Sequence, residues 1–327
     1  MMRNIIVSVV LLVAMIPVIG SAQTDNKNQT GSKNQVVIPV TFEKDTTRKS
    51  TDGKKVIQQG KQGLTKPVTL KKETDSLKLK ARDYYKSGAK KAEAKDYPGA
   101  IRDFSKSLSY NWNPIILTKR AYAYMLNSQY DSAIVDATEA NNKVMNNSEA
   151  MMILGISYYE KQNFDEAYKF LVKAGRLQKR NAMIYNYLAA IKFLQKDYKS
   201  ALLYYDSVVM RDSTYEEVYS NRGMMQHYLG NYKDAINDYS LAIRRDSTDA
   251  NAYNNRAAAR IILKEFQPAL SDLDHAIRLN PGYANAYENR GKVKLQLGDK
   301  EGACADWTKA LSMGLETSKE LIIKNCK

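Results

Sequence analysis

One alanine recurs along this chain at a nearly fixed period, and that period limits the possible folds more than any other feature. In an aromatic-x-x-Ala frame it stands at Ala100, Ala133, Ala167, Ala201, Ala235, Ala269 and Ala303, spaced by 33 and then five times by 34 residues. The aromatic place holds Tyr97, Tyr130, Phe164, Tyr198, Tyr232 and Phe266, and Lys300 in the last copy. Twelve residues ahead of each alanine lies a small residue: Gly88, Ala121, Gly155, Ala189, Gly223, Ala257 and Gly291. Seven residues after it come Ser107, Ala140, Ala174, Val208, Ala242, Ala276 and Ala310. Self-similarity of this length marks stacked units that bury their apolar faces only against one another.

Each unit reads as two antiparallel helices that approach closely at the small positions. Glycine inside a helix costs about 1 kcal/mol relative to alanine, so its return at one phase demands a packing reason. Asp96, Asn163, Asp197, Asn231 and Asp299 share the phase that opens the second helix, where short polar side chains accept from free backbone N–H groups. Gly230 and Gly298 sit just before that cap, where the first helix must stop and turn. Four residues before the small position stand Tyr84, Leu117, Met151, Tyr185, Tyr219, Tyr253 and Tyr287, expected to fill space between neighbouring helix pairs.

Residues 81–317 thus resemble seven tetratricopeptide repeats, bounded at 81–113, 114–147, 148–181, 182–215, 216–249, 250–283 and 284–317, over about three-quarters of the chain. The helix-breaking proline of that family is matched only by Pro281. The resemblance implies an all-α, right-handed solenoid, with residues 318–327 as a helix capping the last open face. Some family members grip the carboxylate of a partner's C-terminus through Lys and Asn in successive repeats. Here Asn221-Arg222, Asn255-Arg256 and Asn289-Arg290 resemble the middle element alone. The flanking places hold Asn186 and Ala190 before it and Asn251 and Asn255 after it, so that function is not carried over. The arginines are expected to pair between adjacent repeats instead.

Ahead of the repeats the composition changes twice. Arg3, the apolar run from Ile5 to Ile19 and Gly20-Ser21-Ala22 read as a signal peptide, residues 1–22, with cleavage after Ala22. The run is shorter than the roughly 18 to 20 apolar residues that span a bilayer. Residues 23–80 carry 13 Lys+Arg against 6 Asp+Glu and no Tyr or Trp, a composition that predicts a disordered basic arm. Within it, residues 36–42 read as linker interrupted by Pro39, with pairing to the edge of a partner's sheet as the alternative. An exported protein, periplasmic, associated with the outer membrane or secreted, is the expectation.

Candidate chemistry is sparse. His227 and His275 lie 48 residues apart without a Cys or carboxylate at ligand spacing, and no phosphate loop, nucleophile elbow or H-E-x-x-H occurs. Neither an enzyme nor a cofactor or metal is expected. Cys304 occupies an apolar column facing the capping helix, which carries Cys326, and an oxidising compartment would bridge them. A free buried thiol and a free terminal thiol are the alternative.

What remains is a concave groove lined by first helices. Helical phase places Tyr85, Tyr122, Met152, Ile156, Tyr159, Asn186, Phe193, Ser220, Met224, His227, Asn254, Ile261, Glu288 and Lys292 on or near it. The expected function is a protein-interaction scaffold of the cell envelope that takes an extended or helical partner segment. The alternative is attachment to an anionic polymer or lipid surface through the basic arm. Nucleic acid is not an expected partner.

Overall fold

The computed structural model describes the backbone of residues 68–215 and 217–327, with side chains from residue 75 onward. The signal segment, most of the basic arm and residues 36–42 lie outside the described residues. Seven antiparallel helix pairs follow in order: α1 (Val68–Glu93) with α2 (Tyr97–Tyr110), α3 (Pro114–Leu126) with α4 (Tyr130–Lys143), and α5 (Ser148–Glu160) with α6 (Phe164–Leu177). Next come α7 (Ala182–Leu194) with α8 (Tyr198–Arg211), α9 (Val218–Tyr228) with α10 (Tyr232–Arg245), α11 (Ala250–Ile262) with α12 (Phe266–Leu279), and α13 (Ala284–Gln296) with α14 (Lys300–Ser312). The last helix, α15 (Thr317–Asn325), packs on α14.

The arm expected to stay disordered to residue 80 is helical from Val68. Residues 68–80 hold Leu, Lys, Glu, Asp, Ser and Thr with no Gly or Pro. Extending an existing helix is far cheaper than nucleating one, so the docked half of α1 carries this stretch with it. Composition alone missed it because it weighs burial and not propagation.

The recurring small residues meet their expected purpose. All seven frame alanines, Ala100 to Ala303, are fully buried. A Cβ added to Gly88 would lie 2.8 Å from Phe104, one on Gly155 2.5 Å from Leu171, one on Gly223 3.1 Å from Tyr239, and one on Gly291 2.5 Å from Trp307. The absent side chain is thus the room occupied by a large group from the second helix.

Every first helix ends alike. Gly230 and Gly298 are left-handed, with φ of 80° and 87°, and so are Lys95, Ser128, Gln162, Lys196 and Lys264 at the same phase, with φ of 58° to 64°. The N–H five residues beyond each closing carbonyl returns to it, as in Asp96 to Lys91, Asp197 to Lys192 and Asp299 to Lys294, at 2.9 Å each. This is a Schellman closure. The next residue caps the second helix: Asp96, Asn163, Asp197 and Asp299 accept from Gly99, Glu166, Ser200 and Gly302. Asn231 departs from expectation, its amide turning back to Gln226 Oε1 instead of capping α10.

Four arginines form a second column. Arg120, Arg222, Arg256 and Arg290 each grip a carboxylate sixteen residues on, Asp136, Asp238, Asp272 and Asp306, through Nε and Nη2 at 2.6 to 2.9 Å. Their Nη1 atoms reach back to Ser105, Asp206, Ser240 and Asp274. The expected ion pairs between adjacent repeats are present for Arg222 with Asp206 and Arg290 with Asp274, while the bidentate fork of each arginine stays inside its own repeat. In the third and fourth repeats the same two places hold Leu154 with Phe170 and Leu188 with Tyr204.

Candidate partner-binding groove

First helices of neighbouring repeats touch directly, α3 with α5, α5 with α7, α9 with α11 and α11 with α13, so they form the inner wall of the solenoid. Half of the residues expected on the groove are buried. Met152, Ile156, Tyr159, Met224, His227, Asn254 and Glu288 are buried, which corrects their assignment to an open face. Tyr85, Tyr122, Asn186, Phe193, Ser220, Ile261 and Lys292 keep partial exposure. The displacement has a simple pattern. Phase pointed to Phe193, His227 and Ile261, and one residue later stand apolar side chains that are more exposed, Leu194, Tyr228 and Ile262, at 41%, 37% and 36%. These three are the last residues of α7, α9 and α11. They make an apolar edge at the repeat pitch, and a one-residue error of helical phase hid it.

Beside that edge the rings of Tyr198 and Tyr228 stack at 4.5 Å between centroids, with Phe193 at 6.1 and 6.0 Å from them. His227 lies edge-on to Tyr232 at 5.2 Å, and its Nδ1 is buried without a hydrogen-bond partner. Burial lowers its pKa to about 4, so the ring is neutral at pH 7. His275 instead places Nδ1 2.8 Å from the Ser271 carbonyl and stacks on Tyr253. The two histidines are thus packing groups on separate elements.

The column expected to fill space between helix pairs is mostly half-buried and faces cations. The Arg211 guanidinium lies 3.7 Å from the Tyr185 ring centroid, and Arg245 lies 4.5 Å from that of Tyr219. Of its two members without a ring, Leu117 is buried and Met151 is half-buried.

Two carboxylates on the inner wall behave oppositely. Glu288 is buried and receives Lys292 at 2.7 Å, Ser318 at 2.8 Å and Thr317 at 2.5 Å. Burial pushes its pKa up, but these donors outweigh burial and hold it below the ordinary glutamate value. Through Thr317 and Ser318 it also fastens α15, which the Cys304–Cys326 disulfide joins covalently to α14. Glu160, the last residue of α5, has a buried Oε1 with no hydrogen-bond partner, and burial raises its carboxyl to about 7. Neither the phase argument nor composition singled it out, because its lack of partners is a tertiary property.

No group of three or more metal-ligating side chains occurs among the described residues, and no described helix is long and apolar enough to cross a membrane.

Residues 216–249 match the family model for the tetratricopeptide repeat. Over 120 residues the chain is 32% identical to small glutamine-rich tetratricopeptide repeat-containing protein 2 of Mycosarcoma maydis, a stretch spanning 36% of this chain and 34% of that protein. The solved structure of Pseudomonas aeruginosa pilF superposes with a TM-score of 0.57 at 16% identity, covering 67% of this chain and 99% of that one. The structure of YrrB, described as a TPR protein with an unusual peptide-binding site, gives a TM-score of 0.50 at 18% identity, covering 54% of this chain and 91% of that one. At these identities the two structures speak for the fold alone.

Proposed function

We propose that this chain, a tetratricopeptide-repeat protein, is a non-enzymatic scaffold of the cell envelope that holds a segment of a partner protein along its inner wall. The observation that carries the reading is the apolar edge of Leu194, Tyr228 and Ile262 with Phe193 beside it. Exposed apolar side chains repeated at the pitch of the solenoid suit an extended or helical segment that contacts several repeats at once. A peptide-binding site is named for one of the solved relatives, and a peptide is the occupant proposed here. Export is supported by the apolar run of residues 5–19 and by the Cys304–Cys326 bridge, since such bridges persist in oxidising compartments.

Photo-crosslinking probes at Tyr122, Phe193 and Tyr228 in living cells test the reading. Capture of one defined protein from all three positions, persisting at high salt, supports it. Capture only from probes in residues 23–80, lost steeply as salt rises, would replace it with charge-driven attachment through the basic arm.

A further inference from the structure

The charge of the repeats is not spread evenly. Beyond residue 80 the chain has 36 Lys+Arg against 29 Asp+Glu. Residues 167–196 hold seven of those bases and no acid, so the rest of the repeats is neutral as a whole. The spacing i, i+4, i+7 puts Lys169, Lys173 and Arg176 on one face of α6, and Lys179 and Arg180 follow in the turn to α7. All five are exposed. Lys169 is paired with Glu166 at 3.0 Å, whereas Lys173, Arg176, Lys179 and Arg180 form no ion pair among the described residues.

Their surroundings hold this charge in place. The Phe170 ring centroid lies 5.6 and 5.8 Å from the ammonium groups of Lys169 and Lys173. Arg211 adds a further cation, fastened to the same turn by donating to the Lys179 and Ser207 carbonyls. The face looks outward, because first helices contact one another along the inner wall and leave the second helices outside. At the matching places of the neighbouring repeats stand Val135 on α4 and Leu203 and Met210 on α8, which are 65%, 68% and 83% exposed.

We infer that this outer face, with Lys173, Arg176, Lys179 and Arg180 at its centre and Leu203 and Met210 beside them, docks on an anionic lipid surface. A bilayer leaflet answers both halves of the pattern: headgroup phosphates take the cations, and the acyl boundary takes the apolar side chains next to them. An acidic protein or polymer would use the cations and leave Leu203 and Met210 in water. The attachment is peripheral, through side chains of three successive second helices. It goes beyond the scaffold reading and does not depend on it, since Leu194, Tyr228 and Ile262 belong to first helices.

The test is flotation of the full chain with vesicles of phosphatidylcholine alone or with about a third phosphatidylglycerol. Partition onto the anionic vesicles only is expected, reduced at least about tenfold by Lys173→Glu, Arg176→Glu and Arg180→Glu together. Leu203→Ser with Met210→Ser should reduce it about threefold. Arg244→Glu, Arg278→Glu and Lys309→Glu make the same change of net charge at matching exposed places of later repeats, and should reduce it about twofold or less. Unfolding midpoints verify that these surface substitutions leave the fold intact. Equal losses in the two charge variants, no loss in either, or no partition at all would overturn the inference, the first two by placing the attraction in net charge or in the basic arm. Unchanged partition of the Leu203→Ser, Met210→Ser variant would also overturn it, by leaving a face suited to an acidic protein or polymer. Crosslinks from Phe193 and Tyr228 report on first helices, so either reading can fail while the other stands.

Discussion

Adding one methyl group at Gly291 should unfold the C-terminal repeats more readily, and the structure says by how much. The new Cβ would lie 2.5 Å from Trp307 Nε1, 2.8 Å from Cδ1 and 3.0 Å from the Ala303 carbonyl oxygen. Ordinary contact needs about 3.5 Å, so the indole must retreat by about 1 Å. It has nowhere to go: Trp307 is fully buried, and its N–H donates to the Glu288 carbonyl at 3.1 Å. Overpacking of this kind costs about 1–3 kcal/mol and the strained hydrogen bond about 1 more, while alanine returns about 1 through its helix propensity. Gly291→Ala is therefore expected to destabilise by about 1–3 kcal/mol. The sixth repeat supplies the control, because there Ala257 and Leu273 occupy the same two places and both are fully buried. In a Trp307→Leu background a leucine placed as Leu273 is beside Ala257, rather than as Leu171 is beside Gly155, leaves room for the methyl, and the cost of Gly291→Ala should fall by at least about 1 kcal/mol. Urea unfolding followed by circular dichroism, with hydrogen exchange on α13 and α14, gives the double-mutant cycle. Effects of Gly291→Ala that agree within about 0.5 kcal/mol in the two backgrounds would refute the packing argument.

The left-handed residue that ends α7 gives a second expectation: Lys196, at φ 59°, should gain about 0.5–1 kcal/mol on replacement by glycine, and Gly230→Lys should lose a similar amount, both read as shifts of the urea midpoint. Reducing the Cys304–Cys326 bridge, which closes 22 residues, should cost about 3 kcal/mol on the loop-entropy account, and exchange protection in α15 should fall first. Unchanged protection after reduction would show that Glu288 with Thr317 and Ser318 holds the cap alone. Burial raises the Glu160 carboxyl to about 7 from 4.5, so the folded state binds the extra proton and stability should decline as pH rises from 4.5 to 7. Glu160→Gln should remove that decline, being more stable above pH 7 by on the order of 1–2 kcal/mol after solvent screening and equal near pH 4, as thermal melts across pH will reveal.

Period and residue size made the helix pairs legible, because close approach of two helices leaves so few acceptable side chains that the constraint surfaces in the sequence itself. The frame alanines and Gly88, Gly155, Gly223 and Gly291 follow from that. The left-handed turns at Lys95, Ser128, Gln162, Lys196 and Lys264 did not, since only glycine advertises positive φ, and here the Schellman hydrogen bonds impose it on other residues. The groove was legible only to one residue of helical phase, which suffices to exchange a buried His227 for an exposed Tyr228. The Arg–Asp forks could have been found from their constant separation of sixteen residues. Glu160 could not, because nothing local distinguishes a carboxylate that finds a partner from one that finds none.

The arginine column also sets where the solenoid can bend. A guanidinium fork tolerates little angular change, and four junctions carry a donor that crosses between repeats, from Arg120 to Ser105, Arg222 to Asp206, Arg256 to Ser240 and Arg290 to Asp274. Where Leu154 and Leu188 replace arginine, apolar burial is joined by single-point contacts of flexible or half-exposed side chains, Lys119 with Glu149 and Lys161 with Asp131 before the third repeat and Tyr168 with Tyr204 after it, which tolerate more angular change than a fork. The two junctions on either side of the third repeat are thus the compliant segments of an otherwise stiff spring. Curvature adjusts there, on both sides of Glu160, while the repeats that bear Tyr228 and Ile262 keep their spacing like marks on a rule.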